Sequence, residues 1–359
     1  MTRSTINSKF WKDKKVYITG HTGFKGSWLG IWLHMLGAKV SGYALTPSTN
    51  PSMFELCEIG KFVKSEISDI RDEAKLLQSI KKEAPEIVFH MAAQPIVRDS
   101  YRIPAETYAV NVMGTVNVFE AVRNCNSVKA LINVTSDKCY KNKEWHWGYR
   151  ENDELGGRDP YSSSKAAAEL VFAAYMSSFF RERAAFGAAS VRAGNVIGGG
   201  DWAQDRIVPD CIRSLINNQP ISLRYPDATR PWQHVLEPLS GYLLTAERLY
   251  QDPALYSESW NFGPDDDSIC TVRELVERIK GEWGENRSVI ITQEKKTVHE
   301  EKMLHLNCDK ARRILRWSPQ WDLERAVAET VSWYRTVSDG KSALEITRRQ
   351  IQMYSGSAS

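Results

Sequence analysis

The stretch KKVYITGHTGFKG, Lys14 to Gly26, decides the fold. Lys14 to Thr19 is a short run of β-forming residues that stops at glycine. Glycines then recur as G-x-x-G-x-x-G at Gly20, Gly23 and Gly26, and Trp28 to Leu36 reads as a helix. Strand, glycine loop and helix in that order make a cradle for phosphate. Gly20 permits the tight turn, Gly23 lets the backbone approach a pyrophosphate, and Gly26 lets the helix pack closely on the strand. The helix N-terminus favours the phosphate charge. A glycine loop alone could be a structural turn, but its place between these two elements makes a dinucleotide the expected ligand.

Working outward, strand-like runs recur at 38–44, 62–67, 87–90, 131–135 and 189–192. Helical patterns separate them at 72–83, 105–124 and 163–183. This alternation predicts an α/β fold, a Rossmann-type doubly wound parallel sheet covered on both faces. After Asn195 the texture changes: Gly198 to Gly200, Pro209, Pro220, Pro226 and Pro231 mark a loop-rich region with one helix at 208–217. The chain is helical again at 238–250, and segments at 260–264, 271–282, 289–292 and 323–335 form a smaller C-terminal mixed α/β substrate-binding domain. The expected division is residues 10–194 plus 235–262 for the dinucleotide and 195–234 plus 263–335 for the substrate. Residues 336–359, ending SGSAS, are expected to form a frayed tail.

The second strand runs into Gly42-Tyr43-Ala44-Leu45, with no acid for the adenosine ribose of NAD and no Arg for a 2′-phosphate. NAD is the expected cofactor, with NADP not excluded. Asp69 and Ile70 follow the third strand. Asp69 fits either an adenine clamp or the N-cap of the next helix.

The chemistry concentrates in Thr135-Ser136-Asp137-Lys138 and in Tyr161 and Lys165. Tyr and Lys four residues apart share a helix face. The ammonium is expected to lower the phenol from its usual value of about 10, so that Tyr161 acts as a base. Asp137 and Lys138 add an acid/base pair that alcohol oxidation alone does not need. That surplus points to a second proton-transfer step.

Bulk properties exclude several classes. A formal net charge of +3 over 359 residues, with no Lys/Arg run, gives no footprint for nucleic acid. The longest apolar stretches fall short of a membrane span, and Met1 to Trp11 lacks a signal-peptide core. Six cysteines without paired spacing give neither a metal site nor a disulfide framework, which points to the cytoplasm.

As an ordered set, these signatures resemble the extended short-chain dehydrogenase/reductase family over about residues 14 to 335. The matching pieces are Thr19 to Gly26, Asp69-Ile70, His90 to Ala93, Asn111 to Thr115, Thr135-Ser136, Tyr161 to Lys165, Arg192 to Val196 and Arg206 to Pro209. Within it, the chain is similar to the nucleotide-sugar 4,6-dehydratases of the CDP-glucose branch. The telling runs are Gly20 to Gly26, Ala92 to Arg98, Thr135 to Lys138, Asp227 to His234 and His299 to Lys302. Other sugar 4,6-dehydratases commonly carry Asp-Glu where Asp137-Lys138 stands.

The resemblance implies an internal redox reaction that turns CDP-glucose into a 4-keto-6-deoxy sugar plus water. Tyr161 would take the 4-hydroxyl proton, Ser136 bond the 4-oxygen, and Lys165 hold the cofactor ribose. Lys138, as the neutral amine, would take the C5 proton, and Asp137, as the acid, would protonate the departing 6-hydroxyl. Both roles fail if the two remain an ion pair. Gly20, Thr22, Gly23, Phe24, Gly26, Asp69, Ile70, Ala92, Ala93, Gln94 and Asn111 are implied at the cofactor, Asn111 holding a structural water or forming a kink. Arg98, Asn195, Arg206, Arg230, His299 and Glu300 are implied at the nucleotide sugar. The resemblance also implies a homodimer or homotetramer paired through the helices beginning near Ala105 and Ser163, and a place in 3,6-dideoxyhexose and O-antigen synthesis. A sugar epimerase or reductase on the same scaffold is the alternative. A non-catalytic dinucleotide-binding regulator would be expected to lack Tyr161 or Lys165.

Overall fold

A computed structural model describes residues 3–284, 289–291 and 303–356. Six strands, β1 (Lys15–Thr19), β2 (Lys39–Ala44), β3 (Lys64–Ile67), β4 (Ile87–His90), β5 (Ala130–Val134) and β6 (Gly187–Arg192), join the strand Ser259–Asn261 in one sheet. Its order is Ser259–Asn261, β6, β5, β4, β1, β2, β3, with every pairing parallel. Strands β4, β5 and β6 are buried at every residue, as an all-parallel sheet packed on both faces requires. One apolar cluster, centred on Trp28, Trp260 and Trp333, fills one face, and another, around Phe119, Phe172 and Phe180, fills the other.

The chain reverses direction across the sheet between β1 and β4, opening a crevice at the strands' carboxyl ends. Helix α1 (Ser8–Trp11) precedes β1, and α2 (Phe24–Met35) follows it, starting four residues earlier than the apolar pattern suggested. The small strands Ile221–Leu223, Thr229–Pro231 and Ile269–Thr271, with the helix Ile207–Ile216, cap the crevice.

Other elements differ from expectation too: the helix expected at 163–183 is Pro160–Tyr175 followed by a π-turn at Met176–Phe180. The helix expected at 105–124 is Pro104–Tyr108 and Gly114–Arg123 joined by a π-turn at Ala109–Met113. The extra residue turns Asn111 inward, where Oδ1 accepts from Gln94 N at 2.8 Å and Nδ2 donates to Ser164 Oγ at 2.9 Å. The kink therefore ties the loop after β4 to the helix carrying Tyr161. The expected frayed tail is a helix, Ala343–Ser355, capped by Ser342. It buries Ile346, Ile351 and Tyr354, a helical stripe that the polar ending SGSAS obscured.

Candidate active site

A cleft of about 770 Å³ lies over the carboxyl ends of β5 and β6. Its wall includes Lys25, Ser136, Asp137, Lys138, Tyr161 and Arg206. Strand β5 stops at Val134, and Ser136 caps a single 3₁₀ turn, Asp137–Cys139, by accepting from Lys138 N at 3.2 Å. The same hydroxyl donates to Asp137 Oδ1 at 2.9 Å, so Ser136 shapes the turn and holds the carboxylate. Asp159 caps the helix Pro160–Tyr175 by accepting from Ser162 N, and Pro160 occupies its first position. The helix therefore starts early enough to hold both Tyr161 and Lys165, one turn apart.

Asp137 is buried, its side chain 2% exposed, and lies 3.4 Å from Lys138 Nζ. Asn195, held at φ +52°, brings Nδ2 to 3.5 Å from Asp137 Oδ2. The structure thus joins Asp137 and Lys138 as an ion pair, the arrangement in which neither is yet the neutral acid or amine. Lys165 Nζ points at Val134 O at 3.4 Å, and burial pushes its pKa down to about 8.

Tyr161 departs from expectation. Burial raises its phenol above 10, while the Ser136 hydroxyl and the positive charges of Lys138 and Arg206 pull it down. Desolvation outweighs them because the ring is 8% exposed, and Lys165 is not among the groups that lower it.

The glycine cradle fits a dinucleotide. Gly20, at φ +79°, passes under the loop after β4, where a Cβ would lie 2.7 Å from Ala92 N. At Gly26 a Cβ would lie 2.2 Å from Gly20 O, so helix and turn touch. Gly23 begins α2 with no side-chain cap and no acid in the first turn, leaving its N–H groups open to an anion. Thr22 Oγ1 fixes the loop on Leu45 O at 2.8 Å. These features provide the turn, the close approach and the donors that a pyrophosphate needs.

Residues 17–330 match the family model for GDP-mannose 4,6 dehydratase. The chain belongs to this family. It is 51% identical over 353 residues to the CDP-glucose 4,6-dehydratase of Salmonella typhimurium (strain LT2), covering 97% of this chain and 98% of the relative. Among solved structures, it resembles the UDP-glucose 4-epimerase of Thermotoga maritima at TM-score 0.78 and 20% identity, covering 90% of this chain and 99% of that one. The dTDP-glucose 4,6-dehydratase DesIV of Streptomyces venezuelae, solved with NAD bound, gives TM-score 0.76 at 22% identity, with 92% and 99% covered. The structural likeness carries the doubly wound fold.

In this 4,6-dehydratase family member, Arg98, Asn195, Arg206 and Arg230 all line the cleft. Arg206 pairs with Asp201 at 2.8 Å, which holds its guanidinium firmly protonated, and Arg98 pairs with Asp205 at 3.2 Å. Among the cofactor candidates, Asp69 binds Arg71, with Oδ1 accepting from Arg71 N at 2.8 Å. The N-cap of the following helix is Asp72, so the capping alternative for Asp69 falls. Ile70 is buried under Gly114, Ala92 N donates to Thr19 Oγ1 at 3.2 Å, and Ala93 follows it. Gln94 is held by Asn111. His299 and Glu300 lie outside the described residues. The sequence reading passed over Lys25, Arg224 and Tyr225, which also line the cleft. The adjacent Arg-Tyr pair, a cation beside an aromatic face, was the available signal for the latter two.

Proposed function

We propose that the protein is a CDP-glucose 4,6-dehydratase, a hydro-lyase that converts CDP-D-glucose to CDP-4-keto-6-deoxy-D-glucose and water. The observation that carries the reading is the buried Asp137–Lys138 contact on the same cleft wall as Tyr161. Oxidation at C4 needs one base, whereas loss of water across C5 and C6 needs a base and an acid together. NAD, when bound, supplies a reversible hydride acceptor, so the reaction has no net redox change. Gly20, Thr22, Gly23, Phe24 and Gly26 would hold its pyrophosphate, Asp69 and Ile70 its adenosine, and Lys165 its nicotinamide ribose. Ala92, Ala93 and Gln94, braced by Asn111, would line its other side.

Tyr161 takes the proton of the sugar 4-hydroxyl, and Ser136 donates to the 4-oxygen. Lys138 and Arg206, with the Ser136 hydroxyl, pull the buried phenol down against its desolvation. The 4-ketone acidifies the C5 proton. A proton shift from Lys138 Nζ to Asp137 Oδ1 converts ammonium and carboxylate into amine and carboxylic acid with no change in net charge. Exclusion of water favours that neutral pair, because the ion pair loses its solvation. Lys138 then takes the C5 proton, Asp137 gives its proton to the departing 6-hydroxyl, and water leaves; return of the hydride to C6, with Lys138 giving a proton back to C5, would complete the 4-keto-6-deoxy sugar. Arg206, Arg230 and Asn195 hold the diphosphate, and Arg98 lies near the sugar.

Two copies of the chain pair through the helices 104–123 and 160–175, whose exposed Tyr108, Met113 and Leu170 support a four-helix interface. No helix among the described residues is long and apolar enough to cross a membrane. All six cysteines are free and buried, which supports a cytoplasmic setting. The product would pass to 3,6-dideoxyhexose synthesis. The test is a screen of CDP-, dTDP-, UDP- and GDP-glucose for 4-keto product. CDP-glucose should win, and a product that keeps its 6-hydroxyl would make the protein an epimerase or reductase instead.

A further inference from the structure

Behind the turn Asp137–Cys139, which follows β5, two buried polar atoms have no hydrogen-bond partner among the described residues. One is the hydroxyl of Tyr242, a fully buried residue in the helix Leu236–Gln251. The other is Gln233 Oε1. Gln233 is buried too, and its Nε2 donates to Gly194 O at 3.1 Å and to Phe262 O at 3.0 Å. Both atoms belong to one neighbourhood. Phe262 N donates to Arg192 O at 2.8 Å, which sets the end of Ser259–Asn261 beside the end of β6. The Tyr242 ring meets Phe262 edge to face at 5.8 Å, and Gly194 backs onto the Asp137 carboxylate. Burial, then the charge of Asp137 and the neighbouring Tyr161, push the Tyr242 phenol up, so it stays a neutral donor.

Asp137 is unevenly held. Oδ1 meets Ser136 Oγ at 2.9 Å and Lys138 Nζ at 3.4 Å, whereas the hydrogen bond to Oδ2 is a long one, from Asn195 Nδ2 at 3.5 Å. The neighbourhood therefore offers one phenolic donor, one amide acceptor and one weakly held carboxylate oxygen. A single water accepts from the first and donates to the other two. We infer that Tyr242 is a positioning residue for Asp137, acting through one buried water held between Tyr242 Oη, Gln233 Oε1 and Asp137 Oδ2. The inference rests on the dehydratase reading above, in which Asp137 takes a proton from Lys138 and passes it to the 6-hydroxyl. In that transfer the Lys138 Nζ–H bond breaks and an Asp137 O–H bond forms. A donor fixed on Oδ2 leaves Oδ1 as the oxygen that takes the proton, and Oδ1 is the one that Lys138 and Ser136 touch. The same donor serves carboxylate and carboxylic acid alike, because Oδ2 accepts in both. Phenylalanine would fill the same volume without burying a hydroxyl, so packing alone gives the oxygen no task.

Tyr242→Phe removes the hydroxyl and keeps the ring. Full-length wild type and variant, loaded with NAD, are mixed with CDP-glucose in single-turnover stopped flow, and kcat and KM are taken from 4-keto product. In the variant the cofactor should be reduced at the wild-type rate and reoxidised about tenfold more slowly, and kcat should fall without a rise in KM. A crystal structure of the wild type should hold one water within about 3.2 Å of all three atoms. A dry site, unchanged reoxidation, or both half-reactions slowed in parallel with a lowered Tm overturns the inference. Wild-type protein that yields no 6-deoxy product from CDP-glucose overturns the dehydratase reading itself.

Discussion

Gly194, between β6 and Asn195, allows the elimination half of the reaction to be removed alone. A Cβ built there would lie 2.0 Å from Asp137 Oδ2 and 2.1 Å from Cγ, where ordinary contact begins at 3.4 Å. Gly194→Ala therefore has to push the carboxylate about 1.4 Å, and Asp137 is too buried to give way without breaking its contacts. The move takes Asp137 from Ser136 at 2.9 Å and from Lys138 at 3.4 Å. A displacement of about 1 Å at a reacting group costs on the order of 10²-fold in rate. Tyr161 and Lys165 sit on a different element, so oxidation at C4 should survive. Stopped-flow absorbance of the variant with CDP-glucose should show the reduced cofactor building up, with turnover to 4-keto-6-deoxy product about 10²-fold slower. Near wild-type turnover, or loss of both half-reactions with the fold intact by circular dichroism, would refute the division of labour.

Tyr161→Phe should abolish turnover while leaving CDP-glucose and NAD binding within about threefold by calorimetry; substantial residual activity would remove Tyr161 as the base. Lys138→Ala should stop solvent deuterium entering C5, read by mass spectrometry of the product, and incorporation at the wild-type rate would exclude Lys138. Glu237 is fully buried, and desolvation raises its carboxyl from 4.5 to about 7. The folded state thus binds a proton that the unfolded chain releases, so this contribution is complete below about pH 4.5 and lost as pH rises through 7. Urea unfolding of Glu237→Gln should gain about 3 kcal/mol on wild type between pH 5 and pH 8, and a pH-independent difference would show that Glu237 titrates normally. Leu170→Glu, which charges an exposed apolar residue, should shift the protein to monomer in analytical ultracentrifugation.

The sheet was legible because its signals are local. Strands β4, β5 and β6 are short runs buried at every residue, and helical segments alternate with the strands along the chain. The site was legible where function forces a spacing, as in Gly20 to Gly26 and in Tyr161 with Lys165. Long-range contacts were hidden. Tyr161's pKa is raised by burial, and Asp137 meets Asn195 from far along the chain. Lys25 stood inside the quoted motif, but only the fold shows that its side chain faces the reaction centre. The C-terminal helix escaped notice because its stripe, Ile346, Ile351 and Tyr354, lies beside the polar ending SGSAS, and part of what it covers, such as Glu237, is more than a hundred residues back.

That helix has a consequence for how the fold is closed. Tyr354 donates to Glu237 Oε2 at 2.6 Å and accepts from Arg3 Nη2 at 3.0 Å, while Thr347 accepts from Trp333 Nε1 at 2.8 Å. One helix therefore clasps three stretches that lie far apart in the sequence. Without it, Glu237 lacks its phenol and the apolar face around Trp32 and Trp333 lies uncovered. Peeling this helix away would leave the catalytic residues in place and that face bare, a form for chaperones and proteases to recognise.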